Sequence, residues 1–124
     1  MRVQGQIDFT ITGLDAERCT GEMPVGDGIK NPFGTVHAGA ILWFADVAAT
    51  VLVRGPGEVS AGMQGFPLAI SLNANLLGNQ TSGTLQAVST FVKKGKTVTV
   101  VRTVVTGTDG KQIADVTTSH VLSK

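Results

Sequence analysis

The chain carries little charge and almost no cysteine. Charged residues make up 15% of its 124 positions, and apolar residues 42%. So low a charge content predicts buried contacts between subunits. The net formal charge is +1, and no basic stripe stands out. That excludes a large nucleic-acid footprint. The one cysteine, Cys19, excludes an internal disulfide and any multi-cysteine metal site. It has no cationic cluster beside it and reads as a strand residue, not a nucleophile. Only two histidines are present, and no His, Cys and carboxylate cluster has metal-ligand spacing. The opening residues, Met1 to Gln6, show no apolar secretory core. The longest apolar run lies within residues 38–53 and contains Asp46, so it is too short and too charged to span a bilayer. A cytoplasmic protein without membrane or nucleic-acid partners is expected.

What is present reads as one domain, residues 1–124, long enough to bury a sizeable core. Residues 3–12 alternate apolar and polar, as a half-buried strand does. Gly13 to Glu17 reads as a turn, and Arg18 to Val25 as a strand pairing back. Gly26 to Val36 is a loop punctuated by Gly26, Gly28, Pro32 and Gly34. A helix follows over about residues 38–53, ended by Gly55-Pro56-Gly57, and residues 58–65 form a second loop. Four strands are then expected: Leu68 to Leu77, Gly83 to Lys93, Thr97 to Thr106 and Gln112 to Leu122. The last two are joined by Thr108-Asp109-Gly110-Lys111, where Asp-Gly supplies positive φ. The spacing predicts an α+β fold, with a meander of four strands forming a curved antiparallel sheet around one apolar helix.

The most telling stretch runs from Asn31 to Thr50. A glycine-containing loop carries His37 and leads into a helix whose single charge is Asp46. An ionised carboxylate in an apolar setting is costly unless it is paired. Asp46 is therefore either a paired structural residue or a functional one. Nine residues at about 100° each place His37 and Asp46 roughly 180° apart on a continuous helix. One chain cannot then bring both into one pocket, whereas two copies about a two-fold axis can. The small residues Ala38, Gly39 and Ala40 leave the first helical N–H groups accessible, which suits an oxyanion. In this reading Asp46 is nucleophile or general base, Asn31 orients a carbonyl or water, and His37 donates a hydrogen bond or caps the loop. The bland alternatives are a turn-forming Asn31 before Pro32 and a loop-fixing His37.

Weaker signals sort quickly. Gly95-Lys96-Thr97 has threonine where a phosphate-binding loop needs its first glycine, and no helix follows. Lys93, Lys94 and Lys96 form a basic hairpin tip: a solvated turn, or an attraction for a phosphorylated carrier. Asp115 and His120 fall on opposite faces of a strand, which excludes a dyad between them. Phe33, Trp43, Phe44, Met63 and Phe66 are core or interface by default, and pocket candidates otherwise.

The pattern Asn31-x5-His37-x-Gly39, with an aspartate nine residues after the histidine on the following helix, resembles the hotdog-fold acyl-CoA thioesterases. Its nearest branch is the phenylacetic-acid-pathway, PaaI-like type. The strand order and the two lysine-containing turns agree over about residues 20–122. The resemblance implies hydrolysis of an acyl-CoA to free acid and coenzyme A at a dimer interface, with dimers paired into tetramers. It implies no cofactor, coenzyme A being part of the substrate. Asp46 matches the catalytic carboxylate, the N–H near Ala38 or Gly39 polarises the thioester carbonyl, and Asn31 and His37 lie across the interface. Two positions depart from the pattern. The usual His-Gly-Gly is His37-Ala38-Gly39 here. A hydroxyl residue expected on the strand after the helix falls at Ala69, with Ser71 two residues on as its substitute. A non-catalytic acyl-CoA or small-molecule binder on the same fold is the rival reading, and a purely structural oligomer the third.

Overall fold

In the computed structural model, residues 1–56 and 65–123 are described. The expected loop over 58–65 and Met63 lie almost wholly outside them. Six strands form one sheet: β1 (Thr10–Leu14), β2 (Arg18–Pro24), β3 (Pro67–Leu76), β4 (Thr84–Lys94), β5 (Thr99–Thr106) and β6 (Gln112–Leu122). Every pairing is antiparallel, in the order β1-β2-β4-β5-β6-β3. One helix, α1 (Ala38–Arg54), packs across it. This is the expected hotdog architecture.

Helix α1 forms because its run of Ala, Leu, Ile and Val has a start and a stop. It is capped by His37 at its N-terminus and ended by Gly55, whose φ of 75° puts it in the left-handed region that glycine tolerates. Ala40, Ile41, Phe44, Ala45, Ala48, Ala49 and Leu52 are buried. They recur at helical spacing and face the sheet. The sheet answers with Met23, Leu85, Ala87, Val101, Val105, Ala114 and Val116, all buried. The Asp109-Gly110 turn has the expected positive φ at both residues, 58° and 75°.

Three expectations are corrected. Residues 3–9 are not strand; β1 begins at Thr10. The earlier stretch instead runs beside the loop, with the Gln6 N–H donating to the Gly28 carbonyl. The Gly13–Glu17 turn shrinks to three residues, because Gly13 and Leu14 pair with β2. The Asp15 Oδ1 closes the turn by accepting from the Glu17 and Arg18 N–H groups at 2.8 and 2.9 Å. The four later strands are not a simple meander. Only β4, β5 and β6 are; β3 crosses over to pair with β6 at the sheet edge. Local alternation does not encode which neighbour a strand chooses.

Edge strand β3 leaves Leu68, Ile70, Leu72 and Leu76 exposed at 41–59% of their surface. An edge this long and apolar is normally covered.

Candidate active site

The loop before the helix is held from two sides. Asn31 Oδ1 accepts from the Phe33 and Thr35 N–H groups at 2.9 and 3.3 Å, and its Nδ2 donates to Thr35 Oγ1 at 2.8 Å. Asn31 is thus the loop-forming residue of the bland reading, its side chain turned inward on its own turn. From the β3–β4 connection, Asn79 brackets Val36. Its Oδ1 accepts the Val36 N–H at 2.9 Å and its Nδ2 donates to the Val36 carbonyl at 2.7 Å. Sequence reasoning did not single out Asn79, because its partner lies 43 positions away.

With Val36 fixed, His37 begins the helix. Its Nδ1 accepts from the Ala40 N–H at 3.0 Å. The imidazole is therefore an N-cap, and its neutral form carries the proton on Nε2. Ala38 and Gly39 are exposed, and their N–H groups have no partner among the described residues. Replacing His37 by Ala should cost about 1 kcal/mol of stability, as loss of a capping side chain does. Urea denaturation checks this, and an unchanged midpoint would remove the cap from the account.

Asp46 lies a half-turn round the helix from this loop. It lines a groove of about 400 Å³ together with Thr50 and Arg54 from the helix and Phe66, Pro67 and Ala69 from the start of β3. The groove walls are mainly apolar side chains. Asp46 is half-buried. Its Oδ1 is fully buried and has no hydrogen-bond partner among the described residues. A structural aspartate in this position would be paired through its buried oxygen; here Oδ1 is left unpaired among the described residues. Its neighbours Thr50 and Arg54 follow at intervals of four residues, a signal legible in the sequence but not used there.

His37 and Asp46 line separate cavities. His37 shares its grooves with Gly39 and Trp43 on one side, and with Lys30 and Asn31 on the other. None of these residues lines the Asp46 groove. Within one chain the two residues therefore line different grooves, with His37 in extended conformation just before the helix.

The remaining candidates fall as follows. Ser71 does not stand in for Ala69. A bulge between them pairs Ala69 with His120 but Ser71 with Ser119. Directly paired residues share a face, so Ser71 lies on the face away from the helix. Phe44 is wholly buried core, whereas Phe33 and Trp43 are 88% and 53% exposed. Lys93, Lys94 and Lys96 are exposed at the β4–β5 hairpin, and the Lys94 ammonium lies 4.5 Å from the centre of the Phe91 ring. The register runs Lys94–Thr99–His120–Ala69 across four strands. It sets this tip at the same end of the sheet as the Asp46 groove.

Asp115 is bound to Arg102 at 2.6 Å on the outer face, and no dyad with His120 forms. His120 itself was missed. It is 1% exposed, on the inner face with Val116 and Thr118. Burial pushes its pKa below the usual 6.5, and the charge of Asp46 acts in the opposite sense. Alternation along β6 already turned His120 inward; what it met there needed the tertiary structure.

Comparison with known proteins gives a consistent picture. The profile of a family described as a domain of unknown function, DUF4442, matches residues 4–121. The chain is 33% identical over 89 residues to the "Putative esterase ComA2" of Bacillus subtilis, covering 68% of this chain and 65% of that protein. It is 30% identical over 103 residues to the "Putative esterase PA1618" of Pseudomonas aeruginosa, covering 79% and 66%. The chain thus spans just under two thirds of the length of these relatives. A crystal structure of a mutant of thioesterase PA1618 superposes with a TM-score of 0.79 at 27% identity, covering 94% of this chain and 81% of that one. A hypothetical thioesterase of Streptococcus pneumoniae, crystallised with coenzyme A, superposes with a TM-score of 0.80 at 17% identity, covering 94% and 86%.

Proposed function

We propose, for a chain that belongs to the DUF4442 family, that it is an acyl-CoA thioesterase with Asp46 as nucleophile or general base in a site completed by a second copy. The observation that carries this reading is the Asp46 Oδ1: buried, unpartnered and at the wall of a groove. Such a carboxylate is poised either to attack a thioester carbonyl or to take a proton from an attacking water. Hydrolysis breaks the acyl–sulfur bond and yields the free acid and the thiol of coenzyme A.

The rest of the chemistry belongs to the helix start. The free N–H groups of Ala38 and Gly39 suit the oxygen of a polarised thioester carbonyl. A methyl group at Ala38 leaves its own N–H in place. Asn31 and His37 hold these donors in position. That loop and Asp46 line different grooves in one chain, which supports a site in which a partner's loop faces Asp46. The exposed apolar edge of β3, next to the Asp46 groove, is the surface for that partner. Lys93, Lys94 and Lys96 sit at the same end of the sheet, where the phosphates of coenzyme A would be attracted. The curated relatives are named esterases, and the Streptococcus neighbour was crystallised with coenzyme A. Both support this substrate class; the PaaI-like branch rests on the motif alone.

The direct test is a panel of acyl-CoAs with detection of the released thiol. Hydrolysis of at least one is expected. Binding without hydrolysis, equal with and without Asp46, would move the protein to the non-catalytic acyl-binding class. Light scattering should show at least a dimer of the 12.8 kDa chain. Leu72→Lys, which places a charge on the β3 edge, should shift it toward monomer and abolish hydrolysis together. A wild-type protein that is monomeric at micromolar concentration would sink the shared site.

A further inference from the structure

We propose that His120 is a positioning residue for Asp46: a buried imidazole, locked by Thr118, whose second nitrogen sits beside the catalytic carboxylate and governs how it is held. The inference rests on the thioesterase reading for its consequence, but not for its geometry.

The ring has one nitrogen engaged and one not. Its Nε2 lies 2.8 Å from Thr118 Oγ1, two residues back on the same strand face. Whichever group donates in that bond, Nε2 is taken and the ring is fixed. Nδ1 is buried and has no hydrogen-bond partner among the described residues. A histidine kept only for packing satisfies both nitrogens when it is buried. The second orphaned buried side-chain atom among the described residues is Asp46 Oδ1. In the proposed arrangement these two atoms, one on the helix and one on the sheet it packs against, act on each other through charge, with no hydrogen bond between them.

The surroundings favour this pairing. Across the ladder on one side, His120 meets Ala69, a wall of the Asp46 groove. On the other side it meets Thr99. Among the described residues packed around His120, β3 carries no titratable side chain, and β5 offers only Thr99 beside it. Lys94 is one strand further along that row. Helix α1 contributes Asp46 and, at the far end of the groove, Arg54. Asp46 is therefore the charge that acts on the ring.

The consequence is a pH dependence set at the ring. Burial keeps the ring neutral to lower pH than an exposed histidine. When it does take a proton, an imidazolium stands beside Asp46 and weakens the carboxylate as a base or nucleophile. The acid limb of the rate profile then carries the His120 titration.

The ring signals are simple to read, because the chain has only two histidines. In ¹⁵N-imidazole NMR, His37→Ala identifies the His120 resonances. Asp46→Asn should lower the His120 pKa further, since the opposing charge is gone. In kinetics, His120→Phe should lower kcat about ten- to a hundredfold. KM should stay within about twofold, and the acid limb should move. His120→Asn, which keeps a nitrogen near the Nδ1 position, should restore most of kcat. A folded His120→Phe protein with wild-type kcat and pH profile would overturn the proposal. So would a His120 titration that ignores Asp46→Asn, even if His120→Phe does not fold. A wild type that hydrolyses no thioester would instead defeat the thioesterase reading, while the ring titration still decides the pairing.

Discussion

Asp46→Asn should leave a folded protein that has lost at least about a hundredfold of its acyl-CoA hydrolysis. A general base contributes typically about 10²–10⁴-fold, and a nucleophile no less. Asn keeps the shape of Asp and removes both the charge and the basic oxygen. Two features limit its structural cost. Asp46 is half-buried at a groove, not sealed in the core. Its Oδ1 has no hydrogen bond to lose among the described residues. Unfolding midpoint and thiol release, measured on the same preparation, separate the two effects. An unchanged rate in a well-folded variant would reject Asp46 as the reacting group. His37→Ala should cost less activity than Asp46→Asn, because a cap orients the loop without touching the reacting bond.

Phe44→Ala should be the most destabilising single change in the helix. Phe44 is 0% exposed and is the largest fully buried side chain of the described residues. Its ring lies 5.3 Å from that of Phe9, tilted by 53°. The sheet is built around it: at Gly21, an added Cβ would stand 3.1 Å from the Phe44 ring. Truncations of this kind cost about 3–5 kcal/mol, the transfer loss plus an unfilled cavity. Stabilities of natural domains are about 5–15 kcal/mol. A fall in Tm of about 15 °C is therefore expected by calorimetry. A loss below about 1 kcal/mol would mean that the helix–sheet interface collapses onto the void, contrary to a tightly packed core.

The two residues are neighbours in sequence and differ wholly in role, and periodicity hints at why. Phe44 falls in phase with Ile41, Ala45 and Ala48 on the sheet-facing stripe; Asp46 falls beside that stripe. The sequence by itself determined the elements with strong local signals. These include the helix with its glycine stop, the Asp109-Gly110 turn, and β6 with the bounds read for it. It also pointed to different grooves for His37 and Asp46 in one chain, since helical geometry is a local property. The tertiary structure decided whatever depended on a distant partner. The choice of β6 as neighbour of β3, the bulge that turns Ser71 away from Ala69, and the Asn79 bracket on Val36 all link positions far apart in the chain. The pairing of His120 with Ala69, at the wall of the Asp46 groove, is of the same kind. Period and propensity act over a few residues; which faces meet is settled by the packing of the whole sheet against its helix.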